Sequence, residues 1–164
     1  MKIETDRLII RSPQKSDFDS SKAIWTDPKV KQYSGGPVSE EDFKNGFYAD
    51  LENAKTDFGF RSVIEKSSGS HIGDCGLIQK EVDNKQEIEI VYFFNSSFWG
   101  SGFATEAAQA MVNYGFNQIG IRRVIALIHP DNEASKKVAI KLGLSFEKSV
   151  ITNSGNQRLL YSMD

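Results

Sequence analysis

The sequence predicts an α/β (α+β) domain: a mixed, mostly antiparallel sheet of about seven strands with helices on both faces. Three observations carry this. Short apolar runs bounded by turn residues recur from Ile3 to Met163. Between them lie segments whose apolar residues repeat at helical spacing, such as Phe43, Phe47 and Leu51. The resulting order is β, α, α, three strands, α, β, α, β, β. No internal repeat or linker appears, so 1–164 reads as a single domain.

The elements follow in order. Residues 3–11 (IETDRLIIR) read as a first strand built on Leu8, Ile9 and Ile10. Ser16-Asp17-Phe18-Asp19 reads as a helix start capped by Ser16, with Phe18 and Trp25 on the buried side. Asp27-Pro28 is turn chemistry, and Ser34–Pro37 is a loop. Ser39, followed by three acids, starts the second helix. Phe58–Glu65 and Ile72–Gln79 read as strands joined at Lys66–Ser70. Glu81–Gln86 reads as a polar connection, and Glu87–Phe94 (EIEIVYFF) as a strand of high β propensity. Residues 95–104 form a glycine-containing turn into a helix over Thr105–Ile119, closed by Gly120. Arg122–His129 reads as a strand buried on both faces and stopped by Pro130. A helix over Asn132–Leu142 is capped by Asn132 and ended by Gly143. Two strands, 144–150 and 157–163, close the sheet around Asn153–Asn156.

Composition narrows the function classes. Lys and Arg number 20 against 22 Asp and Glu, a net charge of −2. A dedicated nucleic-acid binder would show a basic surplus, so no nucleic-acid partner is expected. The single Cys75 excludes an internal disulfide framework, and two histidines leave little for a metal centre, so no metal is expected. Met1–Asp6 is charged and does not read as a signal peptide. No apolar run approaches the ~18 residues of a membrane span, so no membrane partner and a cytoplasmic location are expected.

The strongest chemical signal is Trp99-Gly100-Ser101-Gly102-Phe103-Ala104-Thr105-Glu106-Ala107, where a strand passes through a tight turn into a helix. Glycine allows the sharp bend and a close approach of backbone to ligand. The first amides of the helix lack internal partners and carry partial positive charge, so a phosphate or pyrophosphate suits them. The amides of Gly100, Gly102, Phe103, Ala104 and Thr105 could cradle it without a lysine. There is no Gly-Lys-Ser/Thr of a Walker loop and no GxGxxG spacing of a dinucleotide fold. A turn that merely shortens a strand–helix link fits the spacing equally well.

Trp99–Ala107 resembles the acetyl-CoA pyrophosphate loop of the GNAT N-acetyltransferases, most closely the Rim-type branch that acetylates ribosomal-protein N-termini. Gly102 and Ala104 match its pattern; Trp99 stands where Gln or Arg is more usual, as is familiar in the Rim-type branch. Thr5–Arg11 with Asp17, Ile72-Gly73 through Gly76-Leu77, and Asn132–Ser135 with Lys141–Leu144 resemble further segments, so the likeness spans the chain. It implies a GNAT-like domain with acetyl-CoA as co-substrate. It implies acetyl transfer to a primary amine, either a protein N-terminus or a small amine, and members often form homodimers. A non-catalytic acyl-CoA sensor or interaction module is the alternative.

The resemblance places Glu89 as general base, within Glu89-Ile90-Val91-Tyr92, where Val91 replaces the usual Gly. Alternation alone would let Glu87 and Glu89 face water while Ile88, Ile90 and Tyr92 fill the core. Ser135 is implied as the acid that reprotonates the CoA sulfur; it also suits a first helical turn. Asn132 is implied as a pantetheine contact and is a good helix cap on its own. Tyr92, Phe93 and Phe94 are implied to offer backbone groups to pantetheine, with side chains in the core. Trp25 and Tyr33 would wall the acceptor site. Cys75 reads as a small core residue.

Overall fold

A computed structural model describes residues 1–164. The elements are β1 (Lys2–Glu4), β2 (Leu8–Arg11), α1 (Phe18–Trp25), α2 (Pro28–Lys31), α3 (Glu40–Asn53), β3 (Gly59–Glu65), β4 (His71–Val82), β5 (Lys85–Phe94), α4 (Phe103–Tyr114), β6 (Val124–Ile128), α5 (Glu133–Lys141), β7 (Ser145–Ile151) and β8 (Gln157–Met163). They form one eight-stranded sheet in the order β1-β2-β3-β4-β5-β6-β8-β7. Every pairing is antiparallel except β5 with β6.

The strand beyond the expected seven comes from the first segment. The Thr5 amide donates to the Leu8 carbonyl at 2.9 Å and the Leu8 amide to Thr5 Oγ1 at 3.0 Å. The chain therefore folds back and pairs Lys2 with Arg11. The connection expected at 81–86 is instead the tip of a long hairpin. Asp83 (φ 49°) and Asn84 (φ 61°) both take left-handed backbone, the geometry of a tight hairpin turn that Asx residues tolerate. Asp27-Pro28 is not only a turn. The Asp27 side chain accepts from the Lys29 amide at 2.8 Å and starts the four-residue α2. Pro28 sits at its first position, where the missing N–H costs nothing.

Helices cover both faces. On one, α4 buries Phe103, Ala107, Ala108, Met111 and Val112 against Cys75, Leu77, Ile90 and Phe94. This helix begins at Phe103, two residues earlier than expected. It ends in a π-helical turn, Gly115–Ile119, where a Cβ on Gly115 would lie 2.7 Å from Ile121 and 2.9 Å from Leu77. On the other face α1 and α3 share the edge-to-face rings of Phe18, Phe43 and Phe47. Ser39 caps α3 as expected, accepting from the Asp42 amide at 3.1 Å. Ser16 does not cap α1, whose fully buried positions are Ser21 and Ile24.

Asp17 takes the anchoring part instead. It is 4% exposed and accepts from Arg11 through both oxygens, from Ser62 Oγ and from the Gln14 amide. Burial alone would raise its pKa, but the Arg11 guanidinium and the other donors outweigh it and hold the carboxyl below its ordinary value. Asp17→Ala would leave Arg11 half-buried and unpaired, so a loss of about 3–5 kcal/mol is expected in denaturant titration. The wild-type contribution is present at neutral pH and falls away as pH drops through the lowered carboxyl pKa. An Asp17→Ala chain whose stability loss does not shrink on acidification would contradict this.

Candidate active site

The site begins where the only parallel pair of strands parts. β5 and β6 are in register at one position, Glu89 opposite Ile125, and diverge beyond it. Both strands run the same way, so the turn leading to α4 and the start of α5 lie at the same, carboxyl end of the opening. Open α/β sheets bind ligands at such carboxyl ends.

The turn before α4 is laid out for an anion. Trp99 donates its backbone amide to the Ser96 carbonyl, and Glu106 is the next residue to donate, to the Gly102 carbonyl at 3.0 Å. The consecutive amides from Gly100 to Thr105 donate to no group of the chain. Gly100 (φ 82°) and Gly102 (φ 81°) hold left-handed backbone, which turns these amides outward. A Cβ on Gly100 would meet nothing within 4 Å, so ligand can approach closely. Dipole and free donors together make a phosphate the natural guest.

Arg7, which sequence reasoning used only as part of the first strand, fastens this turn. Its Nη1 donates to the Ser101 carbonyl at 2.8 Å, its Nε donates to Glu106, and its guanidinium lies 4.3 Å from the Phe103 ring centroid. Glu106 also accepts from Thr5 Oγ1 at 2.6 Å. It therefore ties α4 to the β1–β2 hairpin rather than merely complementing the helix end. The Trp99 indole closes the turn from the other side by donating to the Phe94 carbonyl at 2.9 Å. The Phe94 carbonyl thus accepts one hydrogen bond from within the chain and keeps a second lone pair. The Phe94 side chain is core.

Glu89 does not face water; it is 7% exposed. It lies at the apex of the strand opening, accepting from the Leu127 amide of β6 at 3.4 Å. Lys80 Nζ lies 3.3 Å from its other oxygen. Burial raises its pKa, and Lys80, the Leu127 amide and Arg158 only partly oppose this. Glu87 is held instead by Arg123.

On the α4–α5 side, Asn132 caps α5 through the Ser135 amide at 3.2 Å, and its Nδ2 donates to Ser135 Oγ at 3.0 Å. Since Ser135 Oγ accepts there, its own proton is free to be donated elsewhere. The Ser135 hydroxyl lies against the Tyr92 phenol, whose pKa burial pushes up to about 12. The Tyr92 side chain packs against the core, with its hydroxyl beside Ser135.

The expected acceptor-site residues, Trp25 and Tyr33, lie on the opposite face, in the segment that also carries Lys29 and Lys31. Lys29 lies over the Trp99 ring at 5.2 Å, Lys31 over Phe93 at 3.9 Å, and Tyr33 stacks near His129 at 5.1 Å. The segment from α2 to Tyr33 thus touches the glycine turn before α4, β5 and the end of β6 in turn, and bridges the opening. Trp25 packs on Phe60 and Phe93 and donates its indole N–H to Asp74 at 2.7 Å. Cys75 is fully buried, and burial pushes its thiol up, the opposite of an activated nucleophile.

Residues 7–145 match the model of the acetyltransferase (GNAT) domain. The chain belongs to the GNAT acetyltransferase family. It is therefore an acyltransferase. It is 32% identical over 148 residues to the uncharacterized N-acetyltransferase p20 of Bacillus licheniformis, covering 88% of this chain and 81% of p20. A crystal structure of a GNAT acetyltransferase from Bacillus anthracis superposes with a TM-score of 0.84 at 27% identity, covering 99% of this chain and 98% of that one. RimL, a ribosomal L7/L12 alpha-N-protein acetyltransferase solved in complex with coenzyme A, shares the fold at a TM-score of 0.80 and 18% identity. That alignment covers 99% of this chain and 97% of RimL. No helix is long and apolar enough to cross a membrane.

Proposed function

We propose that this chain transfers an acetyl group from acetyl-CoA to a primary amine by direct attack. The observation that carries the reading is the run of free amides from Gly100 to Thr105 at the mouth of the β5–β6 opening. These amides would hold the pyrophosphate. The backbone of the Tyr92–Phe94 stretch would align the pantetheine arm as a neighbouring strand would, with Asn132 at its side. Glu89 is the base. Its raised pKa keeps it basic enough to take a proton from an ammonium through water, and its burial keeps it fixed. Ser135, oriented by Asn132 and backed by Tyr92, returns a proton to the departing thiolate. Cys75 has no part, since direct transfer needs no acyl-enzyme.

Within the family the Rim-type reading rests on the Thr5–Arg11 strand and the Glu89–Tyr92 stretch. It makes the acceptor a protein N-terminus or a small amine, in the cytoplasm.

Binding is tested by thermal melting. Acetyl-CoA at a hundredfold excess over its Kd stabilises the native state by about 2.7 kcal/mol, a Tm rise of roughly 5–10 °C for a chain of this size. CoA should act similarly and ATP at equal concentration much less. A Tm unmoved by both CoA species would overturn the reading. Thiol release over a panel of amines and peptides then tests transfer.

A further inference from the structure

Lys31 is the charged side chain that the catalytic reading leaves unused. It is 5% exposed, and its Nζ sits 4.6 Å from the Trp25 ring centroid and 3.9 Å from that of Phe93. Burial alone lowers its pKa to about 8, with no carboxylate contributing. A buried cation without a counter-ion is costly, and two ring faces recover only part of that cost. One carboxylate in the sheet, Asp74, stands directly across from Phe93 in the β4–β5 register. Its oxygens are taken by Ser21, Trp25 and His71 at 2.7–2.8 Å. Arg61 Nε is the one buried side-chain nitrogen or oxygen without a partner, so the unpartnered tip of Lys31 keeps access to solvent.

The position of this tip matters. Phe93 lies on the same face of β5 as Glu89 and Val91. The segment carrying Lys31 bridges the strand opening between Phe93 and His129. The Lys31 ammonium thus lies on the face of β5 that carries Glu89, the base to which the acceptor amine has to come.

Resting on the acetyl-transfer reading above, we propose that Lys31 selects acceptors that carry a carboxylate close to the reacting amine. The carboxylate completes the ion pair that Lys31 lacks, while Trp25 and Phe93 shut water out around it. Taking the amine midway between the base Glu89 and Phe93, level with Val91, puts it two residues, about 7 Å, from Phe93. The acceptor's anionic group therefore has to stand within a few bonds of its amine. An α-amino acid meets this requirement, and so does a peptide with an N-terminal Asp.

The test is steady-state acetylation of matched pairs at saturating acetyl-CoA. One pair is L-phenylalanine against phenethylamine; the other is an Asp-Ala-Ala amide peptide against its Asn-Ala-Ala counterpart. The first pair answers for free amino acids and the second for peptide N-termini. In at least one pair the wild-type chain should favour the anionic member by about tenfold or more in kcat/KM, mostly through KM. Lys31→Met, which keeps the length and suits the apolar site, should erase that preference while leaving the Tm rise with CoA. Equal kcat/KM within both pairs overturns the proposal without variants, even if Lys31→Met fails to fold. A preference that survives Lys31→Met overturns it too. Failure of the acetyl-transfer reading looks different: no acetylation of any member and no Tm response to CoA.

Discussion

Glu89→Gln is expected to lower kcat/KM for amine acetylation by about 10²–10⁴-fold, the usual worth of a positioned general base. Acetyl-CoA affinity should stay within error, because Glu89 lies at the apex of the strand opening and not at the anion-binding turn. The substitution is mild for the fold. A glutamine oxygen can still accept from the Leu127 amide. Lys80 loses its partner, but its side chain is 43% exposed and water replaces the ion pair at little cost.

The pH profile gives a second readout. The carboxylate is the active form, so wild-type kcat/KM should rise with pH through the Glu89 pKa. Burial places that limb above the ordinary carboxylate range. Glu89→Gln should remove the limb. If Glu89 only sealed the parted strands, glutamine would serve as well. Unchanged activity with an unchanged profile would therefore eliminate it as the base.

Gly102→Val should damage binding instead. At φ 81° the position is left-handed, which costs an L-residue about 1–2 kcal/mol, and a β-branched one at least that. The added Cβ would meet nothing closer than Arg7 Nη2 at 3.5 Å, so strain in the backbone rather than a clash is the cause. The turn relieves the strain by rotating, and the amides of Gly102 and Phe103 leave their common direction. The Kd for acetyl-CoA, measured by calorimetry, should rise roughly 10–100-fold, as loss of about 1.4–2.8 kcal/mol requires. The turn is exposed and its amides serve no other group, so the Tm without ligand should move far less than the affinity. A Kd within twofold of wild type would mean that these amides do not hold the pyrophosphate.

Much of this was legible in the sequence because it is local. Helix caps at Ser39 and Asn132 need only a side chain and an amide three residues on, and both formed. The Trp99–Thr105 turn was readable because two glycines next to a helix start already specify outward amides. The misreadings came from a distant partner in one case and from turn geometry in another. Ser16 is a plausible cap, yet Asp17 prevails because Arg11 and Ser62 converge on it. Residues 81–86 look like a polar loop, yet they pair as a hairpin because Asp83 and Asn84 accept left-handed backbone.

By itself, then, the sequence determined most of the succession of elements and a glycine turn that leaves its amides free at a helix start. Both depend on periodicity and on contacts within a few residues. Tertiary structure alone decided where β5 and β6 part, and with that the burial of Glu89 at the apex and the meeting of Tyr92 with Ser135. It also decided that Lys31, on a short helix that looked like a turn, lies over Phe93 with no counter-ion. Alternation assigns a residue to one face of a strand, but the environment of that face depends on which distant segments cover it. The charge state and chemistry of Glu89 and Lys31 follow from that covering.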